Sequence, residues 1–209
     1  MTVNAQSLLL VRDDPAVAEA VRQAALVVGD GVSIAIATRV LRLPWKGRVT
    51  GVDLTQRILA DGMRIGLKVF FLGATREIIT RMAAKTTEQY PGVQVVGYQD
   101  GYYDRGADGP VIDRIRQSGA QVLFVGMPTP YKEIWLHKNL ERLGVRLAIG
   151  VGGTFDVMTG QVRRAPAWMQ KVGMEWLWRM MMEPRKMWKR NVVYNSRFLY
   201  LLAHEKLRL

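Results

Sequence analysis

The chain has 209 residues, 49% of them hydrophobic, a length that suits one α/β core plus an extension rather than two full domains. It contains no cysteine, which excludes disulfides, thiolate metal sites and a cysteine nucleophile; its two histidines, His137 and His204, lie far apart in the sequence, so no metal is expected. Of the formal net charge of +12, +8 lies between Arg163 and Leu209, where 11 Lys/Arg meet 3 Asp/Glu, so the excess basicity belongs to the tail.

The opening "MTVNAQSLLLVRDD" has no basic region leading into an apolar run of signal length, and no stretch of about 18 uncharged apolar residues occurs anywhere. Neither a visible secretion signal nor a membrane span is therefore expected. "DDPAVAEAVRQAA" follows, with an Asp cap and Pro15 near the first helical position, and predicts a helix from about Pro15 to Ala25.

Asp30 sits in "VVGDGVSIAIA", a carboxylate in a glycine-flanked turn, suited to a general base or simply to turn chemistry. Arg48 in "KGRVTGVD" precedes a helix whose cap is expected at Asp53, and suits either a phosphate or solvent.

"LKVFFLGA", "VQVVGY", "AQVLFVGM" and "VRLAIGVGG" are short apolar runs ending at or near glycine and read as buried strands. The segments between them, "TREIITRMAAKTTEQY", "GPVIDRIRQS" and "PYKEIWLHKNLERL", carry apolar residues at steps of three and four. Alternation of this kind predicts a Rossmann-like, mostly parallel sheet with helices on both faces. Right-handed crossovers then bring the turns at Gly73, Gly126 and Gly150 to Gly153 to one rim, where glycine lets backbone amides approach a phosphate. None of these turns is a GxGxxG or Walker loop. Along the same stretch, "GYYD" (Gly101 to Asp104) reads as an aromatic platform for a sugar or as a plain turn. Lys132 and Glu133 open a helix, where a functional role and a complement to the helix dipole both fit Glu133, and Asp156 is expected to cap the helix after Gly153.

Four of the six tryptophans and six of the eleven methionines fall between Trp168 and Trp188, interleaved with Arg179, Arg185, Lys186 and Arg190. A basic amphipathic helical segment of this composition suits an anionic membrane interface, a core-packing helix with a basic outer face, or single-stranded nucleic acid; the many methionines and leucines, which offer no stacking plane, argue against nucleic acid. The division expected is a 1–162 α/β core and a 163–209 membrane-associating appendage.

Taken in order, "TVN" at Thr2 to Asn4, "DG" at Asp30 and Gly31, "RVTGVDL", "FFLGAT", "GYYD", "GMPTPYKEIW", "GVGGTFDVMTGQVRRAP" and "GMEWLWRMMMEPRKMWKR" resemble the WecG/TagA/CpsF family, glycosyltransferase family 26, over nearly the whole chain. The resemblance implies a metal-independent, cofactor-free, inverting transfer of a hexose, of N-acetylmannosamine or glucose type, from a UDP-sugar to a polyprenyl-diphosphate-linked saccharide. The setting it implies is the cytoplasmic face of a bacterial membrane, with the protein peripheral there and making cell-surface polysaccharide, teichoic acid or exopolysaccharide. It puts the base on Asp30, with Thr2 and Asn4 in the same pocket, and a substrate-binding arginine on Arg48. The glycine rim read above, with Gly73, Gly152 and Gly153, joins Lys132, Glu133, Asp156 and Arg164 in the expected substrate site, and the resemblance brings the tail arginines Arg179, Arg185 and Arg190 toward a diphosphate. Many members have Gln where this chain has Lys132, and members usually carry a strand and helix before "TVN". Self-association occurs in the family; a nucleotide-sugar-binding protein without transfer activity and a basic nucleic-acid-binding module are the alternatives.

Overall fold

The computed structural model describes residues 1–104, 106–185 and 189–207, without the side chains at 171 and 189–191. The chain forms two compact units, one of Met1 and Gly51–Val162, the other of Thr2–Thr50 and Arg163–Leu209. Residues 163–209, expected as an appendage to a 1–162 core, thus share their unit with Thr2–Thr50.

The N-terminal part of the second unit runs β1 (Thr2–Val3), α1 (Ala5–Asp13), α2 (Pro15–Arg22), β2 (Val28–Gly29) and α3 (Val32–Val40). Asp14 caps α2 as the sequence predicts: its Oδ1 accepts from the Ala16 amide at 2.9 Å with Pro15 in the first turn, although the helix stops at Arg22 rather than Ala25. Helix α1 has no counterpart in the sequence reading. Asn4 caps it, accepting from the Ser7 amide at 3.2 Å.

The first unit contains α4 (Gly51–Gly62), β3 (Lys68–Gly73), α5 (Arg76–Gln89), β4 (Gln94–Gln99), α6 (Asp108–Gln117), β5 (Val122–Gly126), α7 (Tyr131–Leu143), β6 (Leu147–Gly150) and α8 (Thr154–Met158). Its strands form one parallel sheet in the order β4-β3-β5-β6. Alternate residues feed two cores, as strand geometry requires. Val69, Phe71, Val122 and Phe124 pack with Ile79 and Met82 of α5, Leu59 of α4 and Phe155 of α8. Phe70, Leu72, Leu123 and Val125 pack with Ile112 and Ile115 of α6 and Trp135 and Leu136 of α7. The Phe71 ring stacks on Phe124 and meets Phe155 edge-on, both at 5.6 Å between centroids. This is the expected α/β architecture with both sheet faces covered.

Strand order reverses between β3 and β5: the connection through α5 leads outward to β4, and the later ones through α6 and α7 lead to the other side. A crevice at the carboxyl ends of strands that part in this way is where open α/β sheets hold ligands.

The C-terminal part of the second unit carries α9 (Ala167–Lys171), α10 (Glu175–Met182) and α11 (Asn195–Lys206). Helix α11 is a core element: Phe198 and Leu202 pack against Ala5 and Leu9 of α1 and Ala37 of α3, and Arg197 makes a two-pronged ion pair with Asp13 at 2.7 and 3.1 Å. No helix among the described residues is long and apolar enough to cross a membrane.

Candidate active site

In the first unit, the turns that follow β3, β5 and β6 lie together. Gly73 pairs with Gly126 across the switch point, and the Ala74 amide donates to the Gly126 carbonyl at 3.1 Å. A Cβ on Gly73, whose φ is +120°, would lie 2.5 Å from that carbonyl oxygen, and one on Gly126 would lie 2.5 Å from the Phe155 ring and 3.2 Å from the Gly152 carbonyl oxygen. These glycines are required by close backbone approach. Gly101 joins them, its amide donating to the Ala74 carbonyl at 2.9 Å, so "GYYD" leaves directly from this rim. Within it Tyr103 is built in, donating to Asp108 Oδ1 at 3.1 Å, and burial, followed by Tyr131 and Asp108, pushes its phenol well above the ordinary range. Tyr102 is 79% exposed.

Lys132 and Glu133, in the first turn of α7, are buried and form an ion pair with each other. Thr129 Oγ1 donates to Glu133 Oε1 at 3.0 Å, and Lys132 Nζ donates to both Thr129 Oγ1 and Glu133 Oε1. The stem of Lys132 lies over Gly150, where a Cβ would come within 3.1 Å of Cδ. Glu133 is thus more than the complement to a helix dipole that its position suggests: it neutralises a buried ammonium. Its Oε2 is buried with no hydrogen-bond partner among the described residues. The Met1 ammonium has its pKa lowered, by burial first and then by Lys132, with Glu133 opposing.

Two capping expectations are corrected. Helix α4 begins at Gly51, so Asp53 lies inside its first turn; α8 begins at Thr154 behind Gly153, so Asp156 also lies in a first turn and makes no capping bond. Both carboxylates still favour the positive end of their helix. Gly152, with φ +55°, and Gly153 form the turn leading into α8.

In the second unit, β1 and β2 pair in parallel, Thr2 with Val28 and Val3 with Gly29, and the Asp30 amide donates to the Val3 carbonyl at 2.7 Å. Asn4 and Asp30 therefore follow directly on the carboxyl ends of two adjacent parallel strands, with Asp30 half-buried, while Thr2 is buried at the start of the first strand. Asn4 is occupied as the cap of α1. The ring of Trp45 covers Gly29, where a Cβ would lie 2.7 Å from it, and the Val49 amide bonds the Gly29 carbonyl at 3.2 Å. These contacts bring the segment around Arg48 onto the strand that leads into Asp30. Arg48 in turn donates to the Gln170 carbonyl at 3.4 Å and pairs with Glu175, whose other oxygen lies 3.7 Å from Arg164. Arg179 lies 3.5 Å from Glu183. Arg185 is exposed; the side chain of Arg190 lies outside the described residues.

A family model described as the glycosyl transferase WecG/TagA/CpsF family matches residues 1–209, the whole chain. The chain belongs to that family. A WecG/TagA/CpsF glycosyltransferase acts in cell-surface polysaccharide synthesis, and membership points to a nucleotide-sugar donor and a lipid-linked acceptor. Reading the sequence of this glycosyltransferase missed Trp45, Thr129 and Glu175. Of these only Glu175 leaves a trace in sequence, as an isolated acid in a strongly basic segment.

Proposed function

We propose that the protein is an inverting glycosyltransferase that moves a hexose from a UDP-sugar to a polyprenyl-diphosphate-linked saccharide, with Asp30 as base. The observation that carries this reading is the position of Asp30, fixed by its amide bond to Val3 at the carboxyl end of a parallel strand pair, where Asn4 leaves the neighbouring strand. An inverting displacement needs one carboxylate to take the proton of the acceptor hydroxyl as its oxygen attacks the anomeric carbon. The bond from that carbon to the UDP oxygen breaks, and UDP leaves with the electron pair. Cationic donors must then stabilise the diphosphate, the role we give to Arg48, Arg164 and Arg179, with Arg185 and Arg190 further along the tail. The glycine rim of the first unit, with Gly73, Gly152, Gly153, Lys132, Glu133 and Asp156, is assigned to the donor nucleotide. The sugar is of N-acetylmannosamine or glucose type, on the strength of the resemblance.

The tail serves as a lipid-facing surface at the inner face of the membrane. This is supported by Trp168, Val172, Met181 and Met182, which are exposed, the last two on the same helix as Arg179. Removing the whole tail does not test this, because α11 supplies Phe198 and Leu202 to the core of its unit. Surface substitutions do. Trp168→Ser with Met181→Ser is expected to lower flotation on phosphatidylglycerol-containing vesicles by about tenfold or more, given the apolar area lost. Flotation equal to the unaltered chain would remove the membrane role.

A further inference from the structure

Each of the three arginines Arg48, Arg164 and Arg179 lies within ion-pair distance of a carboxylate in or next to α10. Glu175 serves two of them: Oε2 pairs with Arg48 Nη2, and Oε1 lies 3.7 Å from Arg164 Nε. Glu183 serves Arg179 at 3.5 Å. The five side chains are between 20% and 28% exposed, shielded enough that unneutralised charge is costly and open enough for exchange with a ligand. A carboxylate with one oxygen on each of two guanidinium groups stands where two oxygens of a phosphate would stand.

We propose that Glu175 is an internal counter-anion, a positioning residue whose carboxylate occupies the Arg48–Arg164 clasp until a phosphate group of the substrate displaces it. The inference rests on the reading of these arginines as phosphate-binding groups. Two features favour displacement over permanent bracing. A diphosphate brings more negative charge and more acceptor oxygens than one carboxylate, so it wins the exchange in the same place. Arg48 keeps a second anchor, the Gln170 carbonyl at 3.4 Å, which holds it when Glu175 departs. Without ligand, Glu175 places negative charge between the two guanidinium groups; with ligand, it sets how strongly phosphate must bind to enter.

The test is calorimetric titration of the full chain in detergent with inorganic pyrophosphate, comparing the unaltered protein with E175Q, E175D and R48Q. Glutamine keeps the length of the side chain and removes the competing charge. E175Q is expected to bind pyrophosphate roughly tenfold tighter, a difference of the size of one charge-assisted contact. Its thermal midpoint without ligand is expected to be lower, and pyrophosphate is expected to raise it more than in the unaltered protein. E175D, which keeps the charge and shortens the reach, is expected to show a smaller gain and provides the answer if E175Q does not fold. A purely bracing role moves affinity the other way, because the arginines splay. Unchanged or weaker binding in the glutamate variants, with R48Q weaker than the unaltered protein, overturns the counter-anion role while leaving the arginines as an anion site. Undiminished binding by R48Q overturns the phosphate reading itself, and the inference with it.

Discussion

Asp30→Asn is expected to lower turnover by about 10²–10⁴-fold, the range for loss of a general base, while UDP affinity and thermal midpoint stay close to those of the unaltered protein. The contrast between the two readouts is what identifies the role. Asparagine is nearly the same size and keeps the backbone amide that bonds the Val3 carbonyl at 2.7 Å, so the strand pair that positions residue 30 is retained. It cannot accept the acceptor's proton at neutral pH. A fall in kcat with KM for the donor unchanged marks an interaction made in the transition state. Near-normal turnover would take the base from Asp30, and loss of turnover together with loss of fold would make it a structural turn residue.

Gly73→Ala is expected to destabilise the protein by about 3–5 kcal/mol, combining backbone strain at a position only glycine adopts readily with overpacking against a neighbour that cannot move aside. The φ of +120° supplies the strain. The neighbour is the Gly126 carbonyl, 2.5 Å from where the new Cβ would stand, and it is fixed by the β3–β5 ladder and by its bond from the Ala74 amide. Relief therefore requires parting the two central strands where the nucleotide is assigned, so UDP affinity should fall along with the urea midpoint. Gly109→Ala is the internal control. It lies in the first turn of α6 with open space around the new methyl, and alanine there is expected to change stability by no more than about 0.5 kcal/mol, the gain in helix propensity being offset by the following Pro110. Equal behaviour of the two variants would show that close approach is not what requires Gly73.

The first unit was largely legible in the sequence because buried parallel strands appear as unbroken apolar runs. "LKVFFLGA" became Lys68–Gly73 and "AQVLFVGM" became Val122–Gly126, while the three intervening helices fell within a residue of their expected starts. The second unit was not. Its strands are two residues each, too short to carry a period, and its core joins Leu9 to Leu202, a pairing that no local pattern encodes. Helix α1 was hidden for the same reason: only Ala5, Ser7 and Leu9 of it are buried, and the cover comes from the far end of the chain. Asp30, Lys132 and Glu133 stood out as charges in apolar or glycine-rich surroundings. Their partners did not, since the burial of the Lys132–Glu133 pair and the bridging of Arg48 and Arg164 by Glu175 are facts of packing.

The central claim is transfer of a hexose from UDP to a lipid-linked acceptor, and UDP release tests it most directly. UDP-hexoses, including UDP-N-acetylmannosamine and UDP-glucose, would be presented in detergent with and without a short-chain polyprenyl-diphosphate-linked GlcNAc, and without added metal. Release that depends on the acceptor, for one donor far above the rest, is the result predicted here. UDP binding with no acceptor-dependent release from any donor would contradict it and leave a nucleotide-sugar-binding role.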